Sequence, residues 1–407
     1  MNYLISSYSV NPYHGSEDGV GWNWVLQYEK HWKQGDRIIL LTKQYNEEAT
    51  RKGFKEFGIK HTELVIVDVP LWLNWFREKH SIFHHMYYML WQHWAWIWVK
   101  HSGINFDVIH HVTMGDYRIP GEMYKAKVAR TIFGPVGGAQ TTPKPLECYE
   151  KSQLTADFRA AINQLCDYNP FYKKAIRGFT EVYASNRETY KQVSRLRNGL
   201  CTGCIVELGI AEEMRNIPIN RSMECNQNER LNILFVGRLI EKKGVTFLME
   251  VAKKLKGKTE YTLDIIGCGY LENTLRNYIS DNDLENNVRF WGEIDHQNII
   301  EKYKNSDVFV LPSLRETGGT VLIEAMACGL PIVAFDTSFC SELRENDCGL
   351  FIDVEQPLEN IQEAYCNAIV KLSEDPALRA SLGANGHKFV NENLCWDKKY
   401  QAIVGHS

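Results

Sequence analysis

A short stretch of the C-terminal half combines two glutamates with a glycine-containing turn. Glu316 and Glu324 stand eight positions apart, and Gly318 and Gly319 lie between them. Glycines let backbone N–H groups approach a ligand closely, and a helix that begins near Thr320 directs its positive end toward an anion. A diphosphate suits this turn, and the two carboxylates can accept hydrogen bonds from hydroxyl groups on either side of it. The alternative is an ordinary helix start with an acidic first turn.

Two basic residues earlier in the chain carry the charge that a diphosphate requires. Arg238 and Lys243 follow the apolar run Asn232–Val236 and are five positions apart. The planar guanidinium group binds phosphate oxygens as a fork, and the ammonium group adds a second positive charge. In a reaction in which a diphosphate departs, the main catalytic need is to stabilise the negative charge of this leaving group. Taken alone, both side chains fit solvated surface charges equally well.

Together these segments resemble the group 1 family of retaining glycosyltransferases with the GT-B fold. The resemblance covers PSLRETGGTVLIEAMACGLP, from Pro312 to Pro331, and FVGRLIEKKG, from Phe235 to Gly244. It implies two Rossmann-like doubly wound domains that face each other across a cleft, with the sugar donor held by the C-terminal half. A last segment, Phe389–Trp396, resembles the end of the family's sequence, where a helix crosses back to the N-terminal domain.

The resemblance also implies a role for each residue of these segments. Arg238 and Lys243 stabilise the leaving diphosphate, whereas Glu316 orients the sugar and Glu324 holds the ribose. Glycines that follow two strands lie where the family binds the nucleotide base through backbone groups, although a plain strand-to-helix turn is the alternative for G-x-G. The implied donor-binding residues of this half are Gly237, Gly267, Gly269, Trp291, Thr317, Gly318, Gly319, Thr320 and Glu324.

A glycine-rich stretch near the N-terminus, Gly15–Trp22, has the sequence GSEDGVGW. It resembles the family's loop between the first strand and the first helix, in a branch with the pattern G-S-E-x-G-x-G-W. The resemblance implies that Gly15 and Ser16 contact the donor phosphates and that Glu17 contacts the acceptor. Glu17 also stands where a helix-capping glutamate would, which is the structural alternative.

Two adjacent histidines end another strand of the N-terminal half. His110 and His111 close an apolar run, and Thr113 and Arg118 follow. In similar enzymes a histidine of this region contacts sugar or acceptor, but only one of two neighbouring strand residues can face a cleft. Both assignments therefore stay open, and a core histidine is the alternative for either. Thr113 and Arg118 are candidates for the acceptor, Arg118 for an anionic group on it.

Strand-like and helix-like segments alternate along the whole chain, as in α/β proteins. The predicted strands are 3–8, 37–41, 63–67, 107–110, 128–133 and 181–184, then 231–236, 261–266, 288–291, 308–311 and 332–335. We expect an acceptor-binding domain over 1–210 with 391–407 and a donor-binding domain over 211–390. Ligands of such sheets bind beyond the carboxyl ends of the strands.

The segment from Trp72 to His101 contains six of the eleven tryptophans. Tyr87, Trp91, Trp94 and Trp98 are spaced so that they share one helix face. This pattern favours a helix packed on the N-terminal sheet. The alternative is an interfacial helix at a membrane surface, where tryptophan and basic side chains meet the headgroups.

Composition excludes several classes of function. The net charge of −4 over 407 residues argues against a general nucleic-acid binder. Eleven scattered cysteines and the absence of a signal-like N-terminus favour a cytoplasmic protein. The lone C-x-x-C at Cys201 and the D-x-D at Asp281 do not make convincing metal sites, so no metal and no cofactor are expected.

The sequence therefore predicts a metal-independent transfer of a sugar from a nucleoside diphosphate to an acceptor hydroxyl, with retention. Family analogy suggests surface polysaccharide assembly on a carbohydrate or lipid-linked glycan at the inner face of the plasma membrane, with contact through 72–101. A catalytically inactive nucleotide-sugar-binding or scaffold subunit is the alternative from another class.

Overall fold

The computed structural model describes residues 1–70, 81–150, 165–166, 168–215, 217–219, 230–316 and 318–405. The chain forms two compact units. Met1–Ala139, Ile162–Leu208 and Trp396–Ser407 make the first, and Gln140–Ala161 and Gly209–Cys395 make the second. Residues 140–150, which we expected in the first unit, thus lie in the second, where the side chains of Tyr149 and Glu150 bond to Glu250 and Arg315.

The first unit contains a seven-stranded sheet in the order β3-β2-β1-β4-β5-β6-β7. Every pairing in it is parallel. Its strands are β1 (Asn2–Ser6), β2 (Arg37–Thr42), β3 (Thr62–Ile66), β4 (Val108–His111), β5 (Arg130–Val136), β6 (Glu181–Ala184) and β7 (Gly203–Cys204). The carboxyl ends of β1, β4 and β5 place the loops of the glycine-rich stretch, the histidines and Gly134–Gly138 along one edge.

Helices lie between these strands, as a parallel sheet requires. They are α1 (Ser16–Lys30), α2 (Glu47–Glu56), α3 (Ser81–His101), α4 (Pro170–Gly178) and α5 (Arg187–Leu196). The last helix of the chain, Trp396–Ile403, also belongs to this unit and packs on α1. Tyr400 meets Tyr28 edge-on at 5.2 Å, and Trp396 meets Trp24 at 5.9 Å. The predicted return of a C-terminal helix is confirmed.

The tryptophan-rich helix α3 contributes its predicted stripe to the core of the first unit. Tyr87 and Trp91 are buried beside Tyr8, and Trp94 and Trp98 pack partly buried against the same cluster. The core interpretation thus accounts for this face, while Trp72 and its neighbours up to residue 80 lie outside the described residues. Among the described helices, none is long and apolar enough to cross a membrane.

The second unit contains a six-stranded parallel sheet in the order β10-β9-β8-β11-β12-β13. Its strands are β8 (Leu231–Val236), β9 (Tyr261–Ile266), β10 (Val288–Gly292), β11 (Val308–Leu311), β12 (Ile332–Phe335) and β13 (Gly349–Ile352). Its helices are α6 (Val245–Leu255), α7 (Glu272–Asp281), α8 (His296–Lys304), α9 (Thr320–Ala327), α10 (Phe339–Glu345), α11 (Leu358–Glu374) and α12 (Pro376–Asn393). Both units are therefore Rossmann-like, as predicted.

Candidate functional site

The loops after β8 and β11 of the second unit are locked together at Gly244. This glycine has φ +68°, and a Cβ on it would stand 1.8 Å from the carbonyl oxygen of Pro312. The backbone N–H of Leu314 donates to the carbonyl of Lys242 at 2.9 Å. Only a residue without a side chain allows this approach, which explains why a glycine follows Lys243 in the sequence pattern.

The ion pair between Lys243 and Glu316 is the centre of the candidate donor site. The Lys243 Nζ lies 2.6 Å from Glu316 Oε2, and the two side chains are only 16% and 9% exposed. Burial would raise the pKa of Glu316, but the charge and hydrogen bond of Lys243 outweigh it, so this pKa lies below its ordinary value. The structure thus joins two predicted residues that are 73 positions apart.

Arg238, the other predicted cation, stands at the carboxyl end of β8 with an exposed side chain. It makes no side-chain hydrogen bond or ion pair with any residue that the structure describes. The same edge holds a charge that is already paired, on Lys243, and one that is available to a ligand, on Arg238.

Helix α9 begins at this edge with a bare N-terminus. Gly319 is its N-cap in a left-handed conformation with φ +56°, and no side chain caps the first turn. Gly318 precedes it, and Thr320 is the first helical residue. The N–H groups of the first turn and the helix dipole therefore favour an anion here, and a diphosphate stays the predicted ligand. Thr317 lies outside the described residues.

Glu324 lies one turn further along α9. Its Oε2 accepts a hydrogen bond from the hydroxyl of Tyr303 on α8, at 3.0 Å. Tyr303 is buried, so it fixes the carboxylate from the protein side. This orienting tyrosine was not found from the sequence, because a single Tyr in a helix 21 positions away has no pattern that connects it to Glu324.

Glycines also bring the loop after β9 against the loop after β8. A Cβ on Gly267 would stand 2.2 Å from the Gly237 carbonyl oxygen, and one on Gly269 would stand 2.2 Å from that of Leu239. Gly267 has φ +125°. The G-x-G pair thus serves close loop packing at the predicted donor edge. Trp291, the next-to-last residue of β10, is 44% exposed, and the Lys302 ammonium lies 3.1 Å from its ring centre.

In the first unit both predicted histidines lie in the core. The His110 Nε2–H donates to the Gly134 carbonyl at 2.9 Å, and the Tyr28 hydroxyl lies 3.2 Å from its Nδ1. His111 lies on the opposite face of the sheet, with Tyr88 at 2.7 Å and Gln92 at 2.6 Å from its Nε2. The alternation along β4 is as expected, but neither ring is open to solvent, because a helix covers each face.

The burial of these rings makes an acid-dependent stability prediction. Burial lowers the pKa of His110 to about 4 and that of His111 to about 3. Below about pH 6.5 the unfolded chain binds protons that the folded chain does not, so acidification must destabilise the first unit. We expect the unfolding free energy to fall between pH 6.5 and pH 4 by up to about 1.4 kcal/mol per pH unit for each ring.

Denaturant titrations at pH 7, 6 and 5 check this prediction. His110→Asn should flatten the dependence relative to the unaltered protein. Exposed His14→Asn is the matched control, and it should leave the slope unchanged. Equal slopes for all three proteins would contradict the assignment of neutral core imidazoles.

Glu17 and Thr113 join the loops at the carboxyl edge of the first sheet. The Glu17 carboxylate accepts the backbone N–H of Met114, and burial raises its pKa. The Thr113 hydroxyl lies 3.2 Å from Ser7 Oγ and accepts the N–H of Ser9 at 3.1 Å. Both residues that were predicted to contact the acceptor thus also hold the loops of this edge together. Gly15 is the exposed N-cap of α1, and the side chain of Ser16 is outside the described structure.

Arg118 does not present a free charge. Its Nε donates to Asp116 Oδ1 at 2.8 Å and to Oδ2 at 3.1 Å, and the side chain is 17% exposed. An anionic acceptor group would have to compete with Asp116 for this guanidinium. The partner, Asp116, lies two positions before Arg118 in the chain, and this ion pair was not predicted from the sequence.

Glu207 is a further carboxylate that the sequence did not single out. Burial, and next the negative charge of Glu17, raise the pKa of Glu207 well above its ordinary value, and the nearby Lys399 opposes this. The Lys399 ammonium itself donates to the carbonyl of Val206 at 2.5 Å. The charges of Glu207 and Glu17 thus act on each other at this edge. No sequence pattern marks a lone glutamate in a loop.

A cavity of about 600 Å³ opens elsewhere on the first unit. Trp96, Phe106, Lys125 and Val128 are among its walls, so it lies at the amino ends of β4 and β5. Parallel sheets bind ligands at the opposite, carboxyl edge. We place the candidate site at that edge because the residues there suit the predicted ligands, although the cavity lies elsewhere. In the described part of the chain, no cluster of three metal-ligating side chains occurs, and none of the ten cysteines there forms a disulfide.

Comparison with known proteins is consistent with this geometry. The family model described as glycosyl transferases group 1 matches residues 218–389. The amylovoran biosynthesis glycosyltransferase AmsK of Erwinia amylovora is 30% identical over 241 residues, which cover 55% of this chain and 56% of that protein. The chain spans about half the length of the curated relatives it matches.

Solved structures show the fold. The lipopolysaccharide outer core galactosyltransferase WaaB aligns over 100% of both chains with a TM-score of 0.66 and 15% identity. HepE of Anabaena, solved in complex with UDP-glucose, aligns over 100% of this chain and 99% of its own with a TM-score of 0.62 and 15% identity. The two Rossmann-like units thus have the GT-B fold. Residues 218–389, which contain Lys243, Glu316 and Glu324, are thus similar to the glycosyl transferases group 1 family.

Proposed function

We propose that the chain transfers a sugar from a nucleoside diphosphate to an acceptor hydroxyl, with retention at the anomeric carbon. The observation that supports this proposal most directly is the buried Lys243–Glu316 pair beside the bare N-terminus of α9. It combines a cation for a phosphate, a carboxylate for sugar hydroxyls and backbone donors for the diphosphate within one edge of one sheet.

The proposed roles follow from charge and position. When the donor binds, the Lys243 ammonium moves from Glu316 to the phosphate oxygens, and Arg238 adds its guanidinium group from the loop after β8. These cations stabilise the diphosphate as the glycosidic bond breaks, so the proposal assigns leaving-group stabilisation to the protein rather than to a metal ion. Glu316, released from full charge pairing, accepts hydrogen bonds from the sugar.

The remaining donor contacts are proposed for the neighbouring loops. Glu324, held by Tyr303, accepts hydrogen bonds from the ribose hydroxyls. The backbone of the loops at Gly237, Gly267 and Gly269, with the region of Trp291, would bind the base. Gly318, Gly319 and Thr320 would contact the phosphates. A contact of Gly15 and Ser16 with the donor phosphates stays a prediction from the family resemblance.

We assign the acceptor to the carboxyl edge of the first sheet. Glu17 and Thr113 shape this edge, with the carboxyl of Glu207 close to Glu17. We assign His110 and His111 a positioning role, because their nitrogens are engaged by the protein. Arg118 can recognise an anionic acceptor only in exchange for Asp116.

The acceptor class is proposed from the relatives. AmsK is a glycosyltransferase of amylovoran biosynthesis, and WaaB is a galactosyltransferase of the lipopolysaccharide outer core. We infer that this chain adds a sugar during surface polysaccharide assembly, on a carbohydrate or lipid-linked glycan. We propose that this sugar transfer takes place in the cytoplasm, at the inner face of the plasma membrane.

Nucleotide binding and turnover test the proposal. Thermal shifts with UDP, GDP, ADP and their common sugars should single out one base, because a ligand that binds only the native state raises the melting temperature. NMR with the selected donor should then show release of the diphosphate and a product with the donor's anomeric configuration. Binding without transfer or donor hydrolysis, for any acceptor glycan offered, would favour the inactive scaffold instead.

A further inference from the structure

The segment from Gln140 to Glu150, here named the 140–150 segment, begins where the chain first leaves the first unit, and it belongs to the second unit. It contains a short 3₁₀ helix, Lys144–Tyr149. The Tyr149 hydroxyl donates to Glu250 on α6, and the Gln362 amide on α11 donates to that hydroxyl at 3.0 Å. The Tyr149 ring also meets Phe247 edge-on at 5.6 Å. Two helices of the second unit therefore anchor the segment just before its last residue.

That last residue, Glu150, forms an ion pair with Arg315. The Arg315 Nη2 lies 3.0 Å from one carboxylate oxygen and 3.3 Å from the other. The Glu150 side chain is 6% exposed, that of Arg315 is 16% exposed, and the Thr142 hydroxyl also donates to the carboxylate. The Arg315 Nε is buried without an acceptor among the described residues. Glu150 thus supplies the charge that compensates this guanidinium.

Arg315 lies in the middle of the candidate donor loop. The next residue is Glu316, which pairs with Lys243, and the Ser313 hydroxyl two positions earlier donates to the Lys242 carbonyl at 3.1 Å. The charge of Glu150 also reaches the loop after β9, where it adds to the effect of Glu241 in raising the pKa of Tyr270. The pair therefore stands where the loops after β8, β9 and β11 converge.

We propose that Glu150 is a positioning residue of the donor site, which acts through Arg315 on the loop that carries Glu316. This inference rests on the proposed donor function of that loop. A guanidinium group that loses its buried carboxylate must move to find water or another acceptor. Because Arg315 and Glu316 are neighbours, this movement displaces the carboxylate and the Lys243 ammonium that the diphosphate needs. Small misplacements of such groups lower rates strongly.

Calorimetric titration of UDP, GDP and ADP tests the proposal in the full chain. We expect Glu150→Gln and Arg315→Met each to weaken binding of the preferred diphosphate about tenfold. The double variant should bind the diphosphate no more weakly than the single variant of lower affinity, since both changes break the same interaction. With the sugar donor, the donor KM should rise about tenfold while the acceptor KM stays within about twofold.

Matched controls separate positioning from general damage. Glu147 belongs to the same segment, and its carboxylate has no side-chain partner among the described residues. Glu147→Gln should therefore leave the affinity for the diphosphate within about twofold. Thr142→Val removes only the hydroxyl that donates to Glu150, and it should weaken binding about two- to threefold. This milder variant, with Arg315→Met, also decides the question if Glu150→Gln does not fold.

The outcomes are distinguishable from failure of the donor site itself. Lys243→Met should lose diphosphate binding in any case if the donor site is correctly assigned. If the unaltered protein binds none of the three nucleotides, the proposed function and this inference both fail. If it binds one, Lys243→Met loses it and Glu150→Gln binds normally, the positioning role alone is overturned. Additive losses in the double variant would overturn it as well.

Discussion

Replacing Lys243 with methionine should lower sugar transfer by about 10²–10³-fold, the effect expected when one charge-stabilising contact to a transition state is removed. The stem of the side chain is kept, so the change removes mainly the ammonium group. Product formation at saturating donor and acceptor measures the loss in kcat. We expect the donor KM to rise as well, because the same ammonium binds the diphosphate before reaction.

The pH dependence of this variant is a second result of the same change. In the unaltered protein Lys243 keeps the pKa of Glu316 below its ordinary value, so the carboxylate stays charged at neutral pH. Without the ammonium, burial raises that pKa. The residual activity of Lys243→Met should therefore begin to fall at higher pH on acidification than the activity of the unaltered protein.

The chain offers a matched control on the surface of the same unit. Lys258 pairs with Glu363 at the same 2.6 Å, but these side chains are 38% and 46% exposed. Lys258→Met should leave transfer within about twofold, since exposed ion pairs contribute little. If Lys243→Met lost less than about threefold in kcat, or no more than Lys258→Met, the proposed role of the pair would be wrong.

Replacing Trp91 with alanine should destabilise the first unit by about 3–5 kcal/mol, the range for loss of a large buried aromatic side chain. Trp91 is fully buried, packs edge-on against Tyr8 at 5.4 Å and donates its indole N–H to the Val67 carbonyl at 2.8 Å. The change leaves a cavity and an unpaired carbonyl. Urea titration followed by near-ultraviolet circular dichroism measures the shift.

Met89→Ala is the control on the same helix, because its side chain is 51% exposed. We expect its effect to stay within about 0.5 kcal/mol. A loss below about 1.5 kcal/mol for Trp91→Ala, or equal losses for both variants, would contradict the core packing of α3 and strengthen the interfacial interpretation of the tryptophan-rich stretch.

Sequence patterns predicted the order of elements well and their limits less well. Apolar runs such as 231–236 and 261–266 match the strands residue for residue. Two edge strands were missed: Gly203–Cys204 has two residues, and Gly349–Ile352 has four behind a glycine, so neither is long enough to show a period. Strand β5 runs to Val136 rather than Phe133, through Gly134 and Pro135, residues that usually end a strand.

Within the candidate site, the sequence could name residues but not their partners. The family pattern pointed to Lys243 and Glu316 separately, and only the fold brings them into contact. The partners of Glu324 and Arg315, which are Tyr303 and Glu150, come from distant helices or segments and have no motif. Local patterns describe which face a residue takes, whereas contacts across a sheet depend on how helices cover it.

The route of the chain also has a consequence for its synthesis. The aromatic face of α1, with Trp24 and Tyr28, is completed by Trp396 and Tyr400, which a ribosome delivers only after the whole second sheet. Domains tend to fold in the order in which they emerge. Here the strands of the first sheet emerge first, but the first unit lacks its closing helix, Trp396–Ile403, until the whole second unit has been made. Of the two units, the one that begins to emerge first would therefore be the one that is completed last.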